Sequence, residues 1–148
     1  AKRLMQELIT RDQVAIITGV NFSNEGFAMM DVCREAKVPT VIMLAGANGM
    51  TDGCPYAARI SFSMWQAGYP MGEYAATKLG MKTAAIVYAN YAPGKDSSAA
   101  FRSAFEKAGG TIVAEMPLPF PNLVDFTPFM QRVKDAKPNA VYVFELPE

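Results

Sequence analysis

Residues 14–17, Val-Ala-Ile-Ile, form a short apolar run rich in β-branched side chains and without polar alternation. A strand that alternates is half-buried. One that does not is buried on both faces, which is the situation of a parallel sheet. Parallel strands need a crossover element, and an amphipathic helix is expected directly afterwards, over residues 25–36. Thr18 and Gly19 end the strand, and Asn21, Ser23 and Asn24 are candidate caps for the helix. Such a unit brings the backbone N–H groups of a helix start to the carboxyl edge of a sheet. Small ligands, anionic ones above all, bind there.

The rest of the chain repeats the unit. Strands are expected at residues 14–18, 40–44, 59–63, 83–88, 111–115 and 140–144. Helices are expected at 2–10, 25–36, 97–108 and 126–136. A further helix over 66–80 reads as interrupted near Gly68-Tyr69-Pro70, and Gly80 suits its C-terminal cap. Residues 90–96 read as a loop, with Asp96 or Ser97 capping the helix after it. Residues 116–122 carry three prolines and read as another loop. Strand and helix alternate, so the fold class is α/β, with parallel sheets flanked by helices. The segments 14–44 and 83–115 are similar units. The helix between them reads as the passage from one sheet to a second, with a single six-stranded sheet as the alternative.

Composition narrows the function classes. Among 148 residues, 51% are hydrophobic and 19% charged, which is globular. Lys+Arg 14 balance Asp+Glu 14 with no basic cluster, which argues against a nucleic-acid partner. No apolar run approaches the ~20 residues that span a bilayer, so no direct membrane insertion is expected. Histidine is absent, which removes the commonest general base and a leading metal ligand. Cys33 and Cys54 are the only thiols and have no metal-ligand spacing, so neither metal nor cofactor is expected. The chain opens inside a helix and closes directly after a strand, and reads as a piece of a longer protein.

The boldest enzymatic signal is Tyr74-Ala-Ala-Thr-Lys78, with Ser61 upstream. A lysine one helical turn from a tyrosine lowers the phenol pKa, and the set resembles the Ser, Tyr and Lys of short-chain dehydrogenases. The glycine loop for a nucleotide is missing, and Pro93-Gly94 comes too early for that family's next helix and strand. An ordinary helix face explains Tyr74 and Lys78 better. Gly94-Lys95 lacks the upstream glycine and the following Ser/Thr of a phosphate loop. Asp31, Glu35 and Asp52 form no obvious carboxylate pair. What remains is a set of loops at the carboxyl ends of strands. These are Phe22-Ser23-Asn24, Gly46-Ala47-Asn48, a loop containing Tyr91 and Pro93, and Glu145-Leu146. They combine hydroxyls, amides, small residues and aromatics without a nucleophile–base pair, which suits binding rather than catalysis.

Taken together, the chain resembles the periplasmic ligand-binding proteins of ABC importers, of the branched-chain amino acid (Leu/Ile/Val) type. The likeness is carried by Val14-Ala-Ile-Ile-Thr-Gly19, Ala36-Lys-Val-Pro-Thr-Val-Ile-Met43, Arg59-Ile-Ser-Phe-Ser63 and Asn90-Tyr-Ala-Pro-Gly94. It continues through Phe-Arg-Ser-Ala-Phe-Glu-Lys-Ala-Gly-Gly at 101–110, Asp125-Phe-Thr-Pro-Phe129 and Lys137-Pro-Asn-Ala-Val-Tyr-Val143. The resemblance implies the two-lobed type I periplasmic-binding fold, in part only. Residues 1–63 would belong to the first lobe and 64–148 to the second, with a ligand held between lobes. It also implies that the family's first two strands and its C-terminal half lie outside this chain.

The resemblance maps the family's first-lobe serine onto Ser23, and its small residues and hydroxyl after the next strand onto Gly46, Ala47 and Asn48. These hold a ligand carboxylate through backbone N–H and side-chain donors. Asn48 stands where Thr or Ser is usual. In amino-acid binders a Tyr-Gly step of the second lobe stacks on the ligand. Here Pro93 takes the Tyr position and Tyr91 lies two residues earlier, which leaves room for an aromatic or aliphatic carboxylate. The implied role is an extracytoplasmic solute receptor, not an enzyme, with a membrane permease as partner and the periplasm as location. A cytoplasmic sensor of the same fold is the alternative. The family topology brings Cys33 and Cys54 towards the sheet's amino edge, as a disulfide or as two separate thiols.

Overall fold

The computed structural model describes residues 1–122 and 125–145. The chain divides into two compact units, Ala1–Ser63 and Met64–Glu148. The first contains α1 (Lys2–Thr10), β1 (Ile17–Gly19), α2 (Ser23–Ala36), β2 (Thr40–Ile42) and β3 (Ala57–Arg59). The second contains α3 (Met64–Thr77), β4 (Thr83–Ala89), α4 (Ala92–Lys107), β5 (Thr111–Leu118), α5 (Thr127–Ala136) and β6 (Ala140–Phe144). Each unit has one parallel three-stranded sheet, in the order β1-β2-β3 in the first and β5-β4-β6 in the second. The chain is therefore α/β with parallel sheets flanked by helices, and the two-sheet expectation holds over the single-sheet alternative.

In the first unit, Ile17 and Ile42 of the sheet meet Met29, Met30, Val32 and Cys33 of α2. Met5 of α1 and Met50 close the core. Flexible thioethers fill the space that three-residue strands leave. In the second unit β4 is the central strand and is buried from Ala84 to Ala89. Its alternate residues serve two cores. Ala84, Ile86 and Tyr88 pack with Ala75 and Ala76 of α3 and Phe101 and Phe105 of α4. Ala85 and Val87 pack with Met116 and Leu118 of β5 and Val133 of α5. Helices α3 and α4 touch through glycine. A Cβ on Gly68 would stand 2.4 Å from the carbonyl oxygen of Ser97, and one on Gly72 would stand 2.3 Å from that of Phe101.

The element boundaries differ from the sequence reading in instructive ways. β1 takes in only the last residue of the apolar run, because pairing begins where Ile17 N–H donates to Pro39 O at 2.9 Å. Ile16 is left exposed. β3 starts two residues earlier than expected and ends at Arg59, four residues short of the expected end, set by the pairing of Thr40 with Ala57. α2 starts at Ser23, with the extended Phe22 in the cap position. α3 runs unbroken through Pro70. α4 starts at Ala92 rather than 97, since Pro93 suits a first helical turn whose N–H groups need no helical partner. Ser97 and Ser98 are buried within it. β5 extends through Pro117 to Leu118, where an edge strand tolerates a missing donor.

Candidate functional site

The candidate residues of the first unit sit where β1 and β2 end. Gly19 and Val20 both have positive φ, 126° and 67°. For a β-branched side chain this is an unusual, strained conformation. It turns Val20 O towards the next loop, where it accepts from Leu44 N at 3.3 Å and Ala45 N at 3.1 Å. Met43 N also donates to Gly19 O at 2.7 Å. The two loops are thus laced together by backbone bonds. A fourth link comes from a side chain, as Ala47 N–H donates to Ser23 Oγ at 3.1 Å.

Ser23, Gly46 and Ala47 are buried, Ser23 with only 1% exposed, while Asn48 is half-buried and Phe22 and Asn24 are exposed. Phe22 makes no side-chain cap bond to α2, so the helix start keeps its positive end. Ser23 Oγ accepts from Ala47, which leaves its proton available for an acceptor. The Ala47 N–H is occupied by the same bond. The arrangement can therefore offer an anion one hydroxyl donor and the dipole of α2. Ser23 is the first helical residue and not its cap.

Sequence reasoning did not single out Arg59. Its Nη1 donates to Ala47 O at 2.6 Å and lies 3.5 Å from Ala45 O, so it grips the same loop that Ser23 holds. The available signal was a lone cation inside a short strand of a sheet otherwise read as apolar.

In the second unit, Tyr91 and Pro93 open α4, as cap and second helical residue. The helix approaches β4 closely here, since a Cβ on Gly94 would lie 2.0 Å from Ala89 O. Tyr91 stacks on Phe120 with ring centroids 4.4 Å apart, and its centroid is 6.3 Å from that of Phe144. These three rings follow β4, follow β5 and end β6, so they gather at one carboxyl edge. Phe120 and Phe144 carried no signal in the sequence beyond their position. Burial, then the charge of half-buried Glu145, pushes the Tyr91 phenol above its ordinary range and keeps it neutral. Leu146 lies outside the described residues. Tyr74 is exposed, and Lys78 falls beyond the last residue of α3, where Gly80 turns the chain at a φ of 66°.

Among the described residues no group of His, Cys, Asp and Glu could hold a metal ion. No helix among them is long and apolar enough to cross a membrane. Cys33 and Cys54 are free and buried. Burial, then the neighbouring Cys54, pushes the Cys33 thiol up to about 11.

A family model described as periplasmic binding protein matches residues 1–147. The Leu/Ile/Val-binding protein homolog 6 of Brucella abortus (strain 2308) is 35% identical over 144 residues, 97% of this chain and 36% of its own length. A solute binding protein of an ABC transporter from R. palustris, solved in complex with 4-hydroxybenzoate, is 37% identical with a TM-score of 0.91. The likeness covers 99% of this chain and 39% of that one. A solute binding protein from Rhodopseudomonas palustris BisB5, in complex with 3,4-dihydroxy benzoic acid, is 43% identical with a TM-score of 0.91, over 97% of this chain and 39% of that one. The chain therefore spans less than half the length of these relatives.

Proposed function

The chain belongs to the periplasmic binding protein family, and we propose that it is part of the solute receptor of an ABC importer, capturing a small carboxylate outside the cytoplasm. On this reading residues 1–63 are part of the receptor's first lobe and 64–148 part of its second, and a membrane permease takes the ligand onward. The role is binding without turnover.

The observation that carries the reading is the Ser23–Ala47 bond at the start of α2. It leaves a hydroxyl proton beside the positive end of a 14-residue helix whose cap residue makes no side-chain bond to it. A carboxylate there is favoured by a charge-assisted hydrogen bond and by the helix dipole together. Phe22, Asn24, Gly46 and Asn48, the sequence neighbours of Ser23 and Ala47, complete the proposed first-lobe set. Tyr91, Pro93, Glu145 and Leu146 are the proposed second-lobe set.

An aromatic carboxylate is the favoured ligand. The two relatives solved with hydroxylated benzoates share 37% and 43% of their residues with this chain. Tyr91 is neutral, aromatic and seated among two further rings, which suits a ring-bearing solute. A branched-chain amino acid, in keeping with the Brucella relative, is the second candidate. The test is calorimetric titration of the complete protein with 4-hydroxybenzoate, 3,4-dihydroxybenzoate and leucine, followed by recovery of the solute. Saturable binding of a benzoate, recovered unchanged, is expected. Chemical conversion of the solute, or no binding of any of the three, overturns the reading.

A further inference from the structure

We propose that Arg59 is a positioning residue for carboxylate recognition: by holding the 45–47 loop through its carbonyls, it aims the loop's amides at the anion. The proposal rests on the reading of the Ser23 site given above.

Arg59 is the last residue of β3 and lies in register with Ile42, the last residue of β2. The 45–47 loop leaves from just beyond that point, so the guanidinium reaches it from the neighbouring strand. Nη1 donates to Ala47 O at 2.6 Å and lies 3.5 Å from Ala45 O. A trans peptide unit is planar, and its C=O and N–H point in opposite directions. The carbonyls of Ala45 and Ala47 belong to the same peptide units as the N–H groups of Gly46 and Asn48. Drawing those carbonyls towards Arg59 therefore turns these two N–H groups away from it. The amide between them, Ala47 N–H, is fixed by Ser23 Oγ at 3.1 Å. The loop is thus held at two of its carbonyls by a cation and at the amide between them by the proposed ligand-binding hydroxyl.

Two physical consequences follow from the cation. A charged donor makes a hydrogen bond roughly twice as strong as a neutral one, so the loop is held firmly. Polarising a peptide through its carbonyl also strengthens its N–H as a donor, by about 10–30% per bond. Both effects favour an anion over a neutral ligand of the same shape. Arg59 need not touch the ligand to do this.

The experiment titrates 4-hydroxybenzoate and its neutral counterpart 4-hydroxybenzamide into the complete protein, as wild type, Arg59→Gln, Arg59→Lys and Ser23→Ala. In Arg59→Gln the preference for carboxylate over amide should fall about tenfold, equivalent to ~1.4 kcal/mol. Arg59→Lys keeps the charge but loses the planar fork, and should restore part of that preference. Equal weakening of both ligands would make Arg59 merely structural and overturn the proposal. An unchanged preference in Arg59→Gln, with a loss in Ser23→Ala, overturns this proposal and leaves the site. No loss in either variant removes the site itself, and the proposal with it. Should Arg59→Gln melt below the assay temperature, Arg59→Lys against wild type carries the same comparison, and an undiminished preference there overturns it.

Discussion

Ser23, the first residue of α2, ties that helix to the 45–47 loop through its hydroxyl. Its type and position mark a helix start, where Asn21, Ser23 and Asn24 are all candidate caps. In the fold the cap is Phe22, extended at φ −103°, and Ser23 is already helical. Its hydroxyl instead receives the amide of a loop 24 residues later. No local rule reveals that partner, because it depends on how β1 and β2 lie side by side. Val20 was equally illegible, since nothing in its type favours a left-handed backbone. Cys33 offers a test at the same scale. Its thiol is raised from 9.0 to about 11, chiefly by burial, so the folded state favours the neutral form. The stability this contributes is fully present below about pH 9 and is lost as pH rises through about 11. In the reduced protein, native Cys33 should resist alkylation until the pH nears the raised value, whereas the denatured chain reacts about two units lower. Mass spectrometry of iodoacetamide-treated protein reads this directly. Equal native and denatured rates near pH 9 would contradict the burial argument.

Elements were legible in kind and less so in their ends. Every expected strand and helix exists because hydrophobic periodicity survives small boundary errors. The ends shifted where tertiary pairing overrode local signals. Pro70 and Pro117 read as breakers, yet α3 and β5 run through them. The α3–α4 contact explains why α3 needs its glycines. Any side chain at Gly68 or Gly72 meets the backbone of α4, not a movable side-chain tip. Gly72→Ala should therefore destabilise the protein by about 1–3 kcal/mol, the usual cost of overpacking, although alanine is the better helix former. Urea unfolding of wild type and variant measures it. A gain in stability would mean that the two helices separate without cost.

At the scale of the whole chain, two similar units each place a helix start at the carboxyl edge of a parallel sheet. The repeat was visible from the sequence, as was the family resemblance, because both are spread over many residues. Arg59, Phe120 and Phe144 were not, because their roles depend on neighbours brought in from other elements. Ser23 is proposed to donate to the ligand carboxylate at the start of α2. Calorimetric titration of 4-hydroxybenzoate into the complete wild-type protein and its Ser23→Ala variant tests this most directly. A hydrogen bond to a charged group is worth about 1.5–3 kcal/mol, so the variant should bind about tenfold more weakly or worse. Unchanged affinity in a variant that is folded and melts normally would contradict the claim, and would leave Ser23 only as a brace between α2 and the 45–47 loop.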